Sequence, residues 1–256
     1  MISPYIIAEV GTNHGGNLNT AIRYVKEISK TGVDAIKFQI ANPYKVFSKD
    51  SFKKNYYQNI NKIKKRLLSF NDHKLIYKKC NELGLDYLCS AFDLESLKFI
   101  HKNFKLKYFK IPSGEVRSLD ILKFISQKRI PVIVSTGMTN DNELKKIIKI
   151  LNKKNKEIII LHCVSSYPAK KEELNLLNIV ELKKKFKLKT GYSDHYPGID
   201  ACVIASLLGA RIIEKHVTFN RSLKGPDHKS SCTIVELKKM VKIIKKNESF
   251  LRKKKK

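Results

Sequence analysis

Two histidines stand at the ends of two apolar runs in the stretch Gly191–Asp227. His195 follows the run Leu188–Tyr192, and His216 follows the run Arg211–Glu214. If these runs form neighbouring parallel strands, both imidazoles emerge at one edge of a sheet, close enough to share a metal ion. Two histidines suit Mn²⁺, Fe²⁺, Co²⁺ or Zn²⁺, with water or substrate completing the shell. A lone histidine there is more often a core or loop residue, so the pair carries this prediction.

Two lysines lie inside otherwise apolar runs, Lys37 in AIKFQ and Lys110 in LKYFKI. Burying an isolated ammonium group is expensive, so we expect both to face an anion. Hydroxyl groups at the ends of other runs could donate to the same anion: Ser90, Ser113, Ser135 and Ser193. Each serine taken singly is better explained as a cap, but the set indicates a phosphate pocket that needs no P-loop.

Further polar groups follow the same apolar runs. Glu9 ends the run YIIAE, Gln39 ends the run AIKFQ, and Glu214 ends the run Arg211–Glu214. Tyr167 follows the run EIIILHCV, and Asp227 comes after a Gly-Pro turn. Catalytic groups of a parallel barrel lie at the carboxyl ends of its strands, so this placement favours an active site.

The elements that must position these groups alternate strictly along the chain. Eight apolar strand patterns and eight helical patterns over 256 residues predict one α/β domain, a (β/α)₈ TIM barrel spanning residues 1–256. The predicted strands are Tyr5–Glu9, Ala35–Gln39, Asp86–Phe92, Leu106–Ile111, Pro131–Thr136, Glu157–Val164, Leu188–Tyr192 and Arg211–Glu214. The predicted helices are Leu18–Lys30, Asn71–Leu83, Leu94–Lys102, Leu119–Gln127, Asn140–Asn152, Glu172–Phe186, Ile199–Leu208 and Ile234–Arg252. A doubly wound sheet is the alternative, but GTNHGG stands where its GxGxxG fingerprint would follow the first strand.

The segment 40–70 interrupts this rhythm. It is polar and too long for an ordinary connection. A lid over the sheet edge and a surface excursion with local helix around Tyr56–Leu68 are both open interpretations.

Composition limits the class of protein. The sequence has no apolar run long enough to span a membrane and no signal peptide at its N-terminus. Five cysteines without a CxxC pair indicate reduced thiols and a cytoplasmic location. The net charge of +29 comes mostly from lysines spread over every helical segment. Without a zinc finger, an RNP-type aromatic motif or an arginine-rich arm, we expect no specific nucleic-acid binding.

Eight short motifs, taken in order, resemble those of the sialic acid synthase family. They are IIAEVGTNHGGN, AIKFQ, KIPSGE, VIVSTGMT, LHCVSSYPA, GYSDH, EKHVT and GPDHKSS. The resemblance runs from the first strand to the last helix. It implies a TIM barrel that condenses phosphoenolpyruvate with an N-acyl amino sugar, such as N-acetylmannosamine, to give a nonulosonic acid and phosphate.

The resemblance also implies roles for individual residues. Phosphoenolpyruvate would be held by Lys37, Ser90, Lys110, Ser113, Ser135, Ser165 and Ser193. Gln39, Tyr167 and Asp227 would contact the sugar. His195 and His216 would bind a divalent metal, usually Mn²⁺ or Mg²⁺. Glu9 and Glu214 are both candidates for the general base, and the sequence does not choose between them.

Most of the family continues into a small antifreeze-like domain after the barrel, and the printed sequence ends at Lys256. The expected partner is a second copy of the chain, in a homodimer, or a separate polypeptide that supplies this domain; the alternative is that the barrel works alone. Two alternative functions stay open: another phosphoenolpyruvate–sugar synthase that uses a phosphorylated aldose, and an inactive sugar- or phosphate-binding remnant.

Overall fold

A computed structural model describes residues 3–46, 56–154 and 157–251. Its strands are β1 (Tyr5–Gly11), β2 (Ala35–Ile40), β3 (Asp86–Ala91), β4 (Phe109–Ile111), β5 (Val132–Ser135), β6 (Ile158–Cys163), β7 (Lys189–Asp194), β8 (Ile212–Thr218) and β9 (Cys232–Thr233). β1 to β8 pair in parallel in chain order, and β1 also pairs with β8, which closes the barrel. The short β9 lies beside β8. The predicted eight-stranded TIM barrel is confirmed.

The helices surround this barrel. They are α1 (Leu18–Ile28), α2 (Pro43–Val46), α3 (Tyr56–Lys64), α4 (Phe70–Glu82), α5 (Leu94–Asn103), α6 (Leu119–Ser126), α7 (Asp141–Leu151), α8 (Asn178–Phe186), α9 (Asp200–Leu207) and α10 (Ile234–Leu251). Several of these helices have a side-chain cap at their N-terminus. At the start of α7, for example, Asn140 and Glu143 form a reciprocal capping box. No helix in the described part of the chain is long and apolar enough to cross a membrane.

The predicted helix Glu172–Phe186 was too long. Lys171–Glu173 form a short 3₁₀ turn, and the α-helix begins only at Asn178. Between them Asn175 has a φ of 38°, in the left-handed region that a right-handed helix cannot include. The apolar periodicity continues through this break, so it could not reveal it.

The eighth strand was predicted too short, because β8 continues to Thr218 and His216 lies inside it. The segment 40–70 contains α2 and α3, and α3 ends at Lys64, before the predicted Leu68. The lid interpretation rests partly on residues 47–55, which lie outside the described residues.

Strand alternation places an apolar layer beneath a polar layer inside the barrel. The lower layer holds Ile7, Ala35, Leu88, Ile133, Leu161 and Ile212. Two residues further along the same strands stand Glu9, Lys37, Ser90, Ser135, Cys163 and Glu214. Because every second side chain of a strand faces the same side, the packed lower layer forms the floor of a polar site.

Candidate active site

A cavity of about 240 Å³ opens at the carboxyl ends of the strands. Except for Asp227, every predicted site residue lines it. The cavity walls also include Phe92, Pro112, Met138 and Cys163, which the sequence analysis did not single out. Apolar side chains at strand ends look the same in sequence as core residues, so no signal distinguished them.

Lys37 joins the two carboxylates of the cavity. Its Nζ lies 3.0 Å from Oε2 of Glu9 and 3.4 Å from Oε1 of Glu214, and it donates to Ser90 Oγ at 3.2 Å. Gln39 Nε2 donates to the other oxygen of Glu9 at 3.1 Å. Glu9 and Lys37 are register partners on β1 and β2, so strand pairing itself creates this contact.

Lys110 is a second buried lysine in the wall of the cavity. Its Nζ donates to Ser135 Oγ at 2.8 Å and lies 3.6 Å from Glu214 Oε1, which also accepts a hydrogen bond from Ser193 Oγ at 3.0 Å. Ser113 Oγ contacts Cys163 Sγ at 3.4 Å and accepts from the backbone N–H of Gly137. Lys110 and the hydroxyls of Ser90, Ser113 and Ser135 therefore cover the side formed by β3 to β6. The carboxylates and imidazoles, with the Ser193 hydroxyl among them, cover the side formed by β7, β8 and β1.

The two carboxyl groups differ in their protonation. Burial raises the pKa of Glu9 to about 7, because the charge of Lys37 only partly offsets the loss of solvation and the neighbouring Glu214. Burial also acts on Glu214, but Lys110 and Lys37 outweigh it and lower its pKa to about 2. Near neutral pH, Glu214 is thus a fixed anion, while Glu9 can exchange a proton.

The two imidazoles lie side by side, with ring centroids 5.4 Å apart. Nδ1 of His195 contacts the carbonyl oxygen of Val164 at 2.6 Å, and since that oxygen only accepts, Nδ1 carries the proton and leaves Nε2 as an acceptor. His216 is buried, and its Nδ1 has no hydrogen-bond partner. The ring of Tyr167 lies 4.0 Å from that of His195.

Burial keeps both imidazoles uncharged. It lowers the pKa of His195 and lowers that of His216 to about 4. Neutral imidazoles with a free nitrogen are the form that binds divalent metals, so the pair fits a metal ion. No group of three or more His, Cys, Asp or Glu side chains in the described part of the chain is arranged to hold one. Water or substrate oxygens would therefore have to supply the remaining ligands.

Asp227 reaches the rim of the site from the loop after β8. Its Oδ2 accepts from the hydroxyl of Thr12 at 3.1 Å. A Cβ atom on Gly11, which has a φ of 55°, would lie 3.0 Å from that oxygen and 3.3 Å from both Gln39 Nε2 and His216 Cε1. Asp227, Gln39 and His216 thus converge on Gly11, where no side chain stands between them.

Known proteins resemble this chain in sequence and in fold over most of its length. The profile of the NeuB family matches residues 24–256. N,N'-diacetyllegionaminic acid synthase of Legionella pneumophila is 35% identical, over 96% of this chain and 73% of its own length. Pseudaminic acid synthase of Campylobacter jejuni is 36% identical, over 96% and 74%. The crystal structure of the N-acetylneuraminic acid synthetase of Leptospira borgpetersenii superposes with a TM-score of 0.90 at 32% identity, over 99% of this chain and 87% of that one.

The names of these relatives give different sugar acids. Each relative nevertheless matches at least 96% of this chain. The resemblance found in the eight sequence motifs is confirmed by the profile match and by the identities above 30%. The chain belongs to the NeuB family of sialic and related nonulosonic acid synthases.

Proposed function

We propose that this chain condenses phosphoenolpyruvate with the aldehyde form of an N-acyl amino sugar, giving a nonulosonic acid and inorganic phosphate. One observation carries the proposal: a single cavity is lined by two buried lysines, five serines and two buried, neutral histidines. The lysines and serines suit an anion, and the histidines suit a polarised aldehyde oxygen. The names of the relatives support a nonulosonic acid as the product.

Lys37 and Lys110, with Ser90, Ser113, Ser135, Ser165 and Ser193, hold the carboxylate and phosphate of phosphoenolpyruvate. Gln39, Tyr167 and Asp227 contact the sugar at the rim. His195 and His216 would hold Mn²⁺ or Mg²⁺, which when bound supplies Lewis-acid polarisation of the aldehyde. The enol carbon of phosphoenolpyruvate forms the new C–C bond to the aldehyde carbon, and the aldehyde oxygen takes up a proton to become a hydroxyl.

Water then adds to C2 of phosphoenolpyruvate, the carbon that carries the phosphate oxygen, and the bond between C2 and that oxygen breaks. Glu9 is better suited than Glu214 to take the proton from this water, because its pKa is near 7 whereas Glu214 stays ionised between two lysines. Glu214 instead holds Lys37, Lys110 and Ser193 in place. The balance is one water consumed and one phosphate released for each C–C bond formed.

Phosphate release tests the proposal and identifies the sugar. The purified chain is incubated with phosphoenolpyruvate, Mn²⁺ and each of a panel of sugars: N-acetylmannosamine, its 2,4-diacetamido relatives and their phosphorylated forms. The proposal expects release that requires both sugar and metal. Release only with an added phosphorylated aldose that lacks the N-acyl amino group would favour the other class of synthase, and no release with any sugar would favour a binding remnant.

A further inference from the structure

A fully buried ion pair lies directly behind the two histidines. Lys215 Nζ is 2.8 Å from Asp194 Oδ2, and both side chains have 0% exposure. Asp194 precedes His195, and Lys215 precedes His216. Because strand side chains alternate, His216 and Glu214 face the cavity whereas Lys215 faces the helices. Asp194 and Lys215 are also register partners on β7 and β8.

Asp194 accepts hydrogen bonds from residues on both sides of His195. Its Oδ1 accepts from the hydroxyl of Tyr192 and from the backbone N–H of Tyr196, each at 2.9 Å. Its Oδ2 accepts from Lys215 and from the thiol of Cys202 on α9 at 3.2 Å. This carboxylate thus accepts four hydrogen bonds, two at each oxygen, from donors in β7, in β8, in α9 and directly after His195.

Lys215 extends the same network to the loop after β8. Its Nζ donates to the carbonyl oxygens of Tyr196 and, at 3.4 Å, of Ser230. The N–H of Ser230 in turn donates to the carbonyl of Asp227 at 3.1 Å. One ammonium group therefore connects the loop that carries His195, the strand that carries His216 and the loop that carries Asp227.

Stability alone does not account for such a pair. Removing two charges from water is expensive, and replacing a buried ion pair by apolar residues of similar volume is often neutral or stabilising. What the pair does supply is fixed geometry, since its hydrogen bonds reach Tyr192 in β7, Tyr196 after His195, Cys202 in α9 and Ser230 in the loop after β8. Partners that orient metal-binding histidines usually bond to the ring itself, as the Val164 carbonyl does for His195, whereas this pair acts on the segments that carry the two rings.

We propose that Asp194 and Lys215 are positioning residues, which set the spacing and orientation of His195 and His216 for a divalent cation. The inference rests on the metal role in the proposed function. It assigns no contact with substrate to either residue. Its specific consequence is that losing the pair weakens cation binding while the anion side of the cavity, on β3 to β6, is unchanged.

The test is Mn²⁺ affinity, measured without substrates by the electron paramagnetic resonance of free Mn²⁺. The double variant Asp194→Asn/Lys215→Met removes both charges at nearly constant volume, so no buried charge is left unpaired. The matched control is Leu144→Ala, which creates a cavity under α7, away from the site, and lowers the melting temperature. The expected result is a Kd for Mn²⁺ raised by about 10- to 100-fold in the double variant. In the control, Mn²⁺ affinity stays within twofold of the parent, as does phosphoenolpyruvate affinity without metal in both variants.

A folded double variant with the parent's Mn²⁺ affinity would overturn the inference and leave the proposed function intact. A parent that does not bind Mn²⁺, or binds it equally after His195→Ala, would overturn the metal centre and this inference with it. If the double variant does not fold, Tyr192→Phe decides, because it removes only the hydrogen bond to Asp194 Oδ1. A Kd raised roughly threefold or more supports the inference, and an unchanged Kd contradicts it.

Discussion

The ammonium group of Lys37 lies 3.0 Å from the carboxylate of Glu9, its register partner on the neighbouring strand. The same ammonium is 3.4 Å from Glu214, which Lys110 also approaches at 3.6 Å. Glu214 therefore has two cationic neighbours, while Glu9 shares one. This asymmetry separates two buried carboxyl groups into a permanent anion and a group that titrates near neutrality.

The first prediction concerns the pH dependence of turnover. With a pKa of about 7, raised by burial, Glu9 is protonated below neutrality and ionised above it. If the carboxylate takes the proton of water, turnover at saturating phosphoenolpyruvate falls about tenfold per pH unit below this pKa and is level above it. Bound phosphoenolpyruvate is an anion and favours the protonated form of Glu9. It therefore moves this acidic limb of the pH profile, the region where turnover falls, to higher pH.

Glu9→Gln should remove this limb and lower kcat by about 10²- to 10⁴-fold. Glu115→Gln is the matched control, since burial also raises the pKa of Glu115 but that side chain does not line the cavity. The control should keep the parental profile. A limb that survives in Glu9→Gln would assign the titration to another group.

The second prediction concerns the histidine pair. His195→Ala or His216→Ala should abolish metal-dependent turnover while the circular dichroism and melting curve still report a folded barrel, because each variant removes one of two imidazole ligands. His101→Gln, on the outer helix α5, should keep full activity. Near-normal rates in either alanine variant would remove the metal assignment.

The third prediction separates the two substrates. Lys110→Ala should raise the KM for phosphoenolpyruvate far more than the KM for the sugar, because Lys110 lies on the serine-lined side of the cavity and donates to Ser135. Lys107→Ala, which removes an exposed ion pair with Asp86, should change neither constant. Equal increases in both KM values would place Lys110 outside the phosphoenolpyruvate site.

The fourth prediction uses two glycines with similar backbone angles. Gly11 and Gly15 have φ values of 55° and 61°, so alanine strains either position by roughly 1–2 kcal/mol. Only Gly11→Ala would also place a methyl group against Asp227, Gln39 and His216. We expect Gly11→Ala to lose sugar turnover and Gly15→Ala, which has open space, to keep it. Equal sugar turnover in both variants would contradict this prediction, because it would show that a methyl group at Gly11 does not disturb Asp227, Gln39 and His216.

Much of this site could be predicted from the sequence because the barrel imposes a simple rule. Lys37 and Lys110 lie in apolar strands and face the polar mouth, as the cost of burying an unpaired ammonium group predicted, and strand alternation places Glu9 and Ser90 on the same side. Lys215 in β8 departs from this rule, because it faces the helices and is paired there with Asp194. The alternation of strands and helices likewise determined the fold class.

Other features depend on contacts between segments distant in sequence and could not be read from local patterns. The start of α8 is set by the left-handed Asn175, which the apolar periodicity conceals. In the sequence, Asp194 and Lys215 are only polar residues next to the two histidines, and the buried pair that they form depends on the register of β7 and β8. The choice between Glu9 and Glu214 needed the distances to two lysines.

The most direct test of the central claim follows the enol carbon itself. Phosphoenolpyruvate labelled with ¹³C at C3 is incubated with the chain, Mn²⁺ and the N-acyl amino sugar that gives phosphate release, and the carbon is observed by NMR. Condensation predicts that the vinyl signal is replaced by that of a ring methylene carbon bonded to the sugar, with one phosphate for each product. Labelled pyruvate with phosphate and unchanged sugar would show hydrolysis instead of condensation, and would contradict the proposed function.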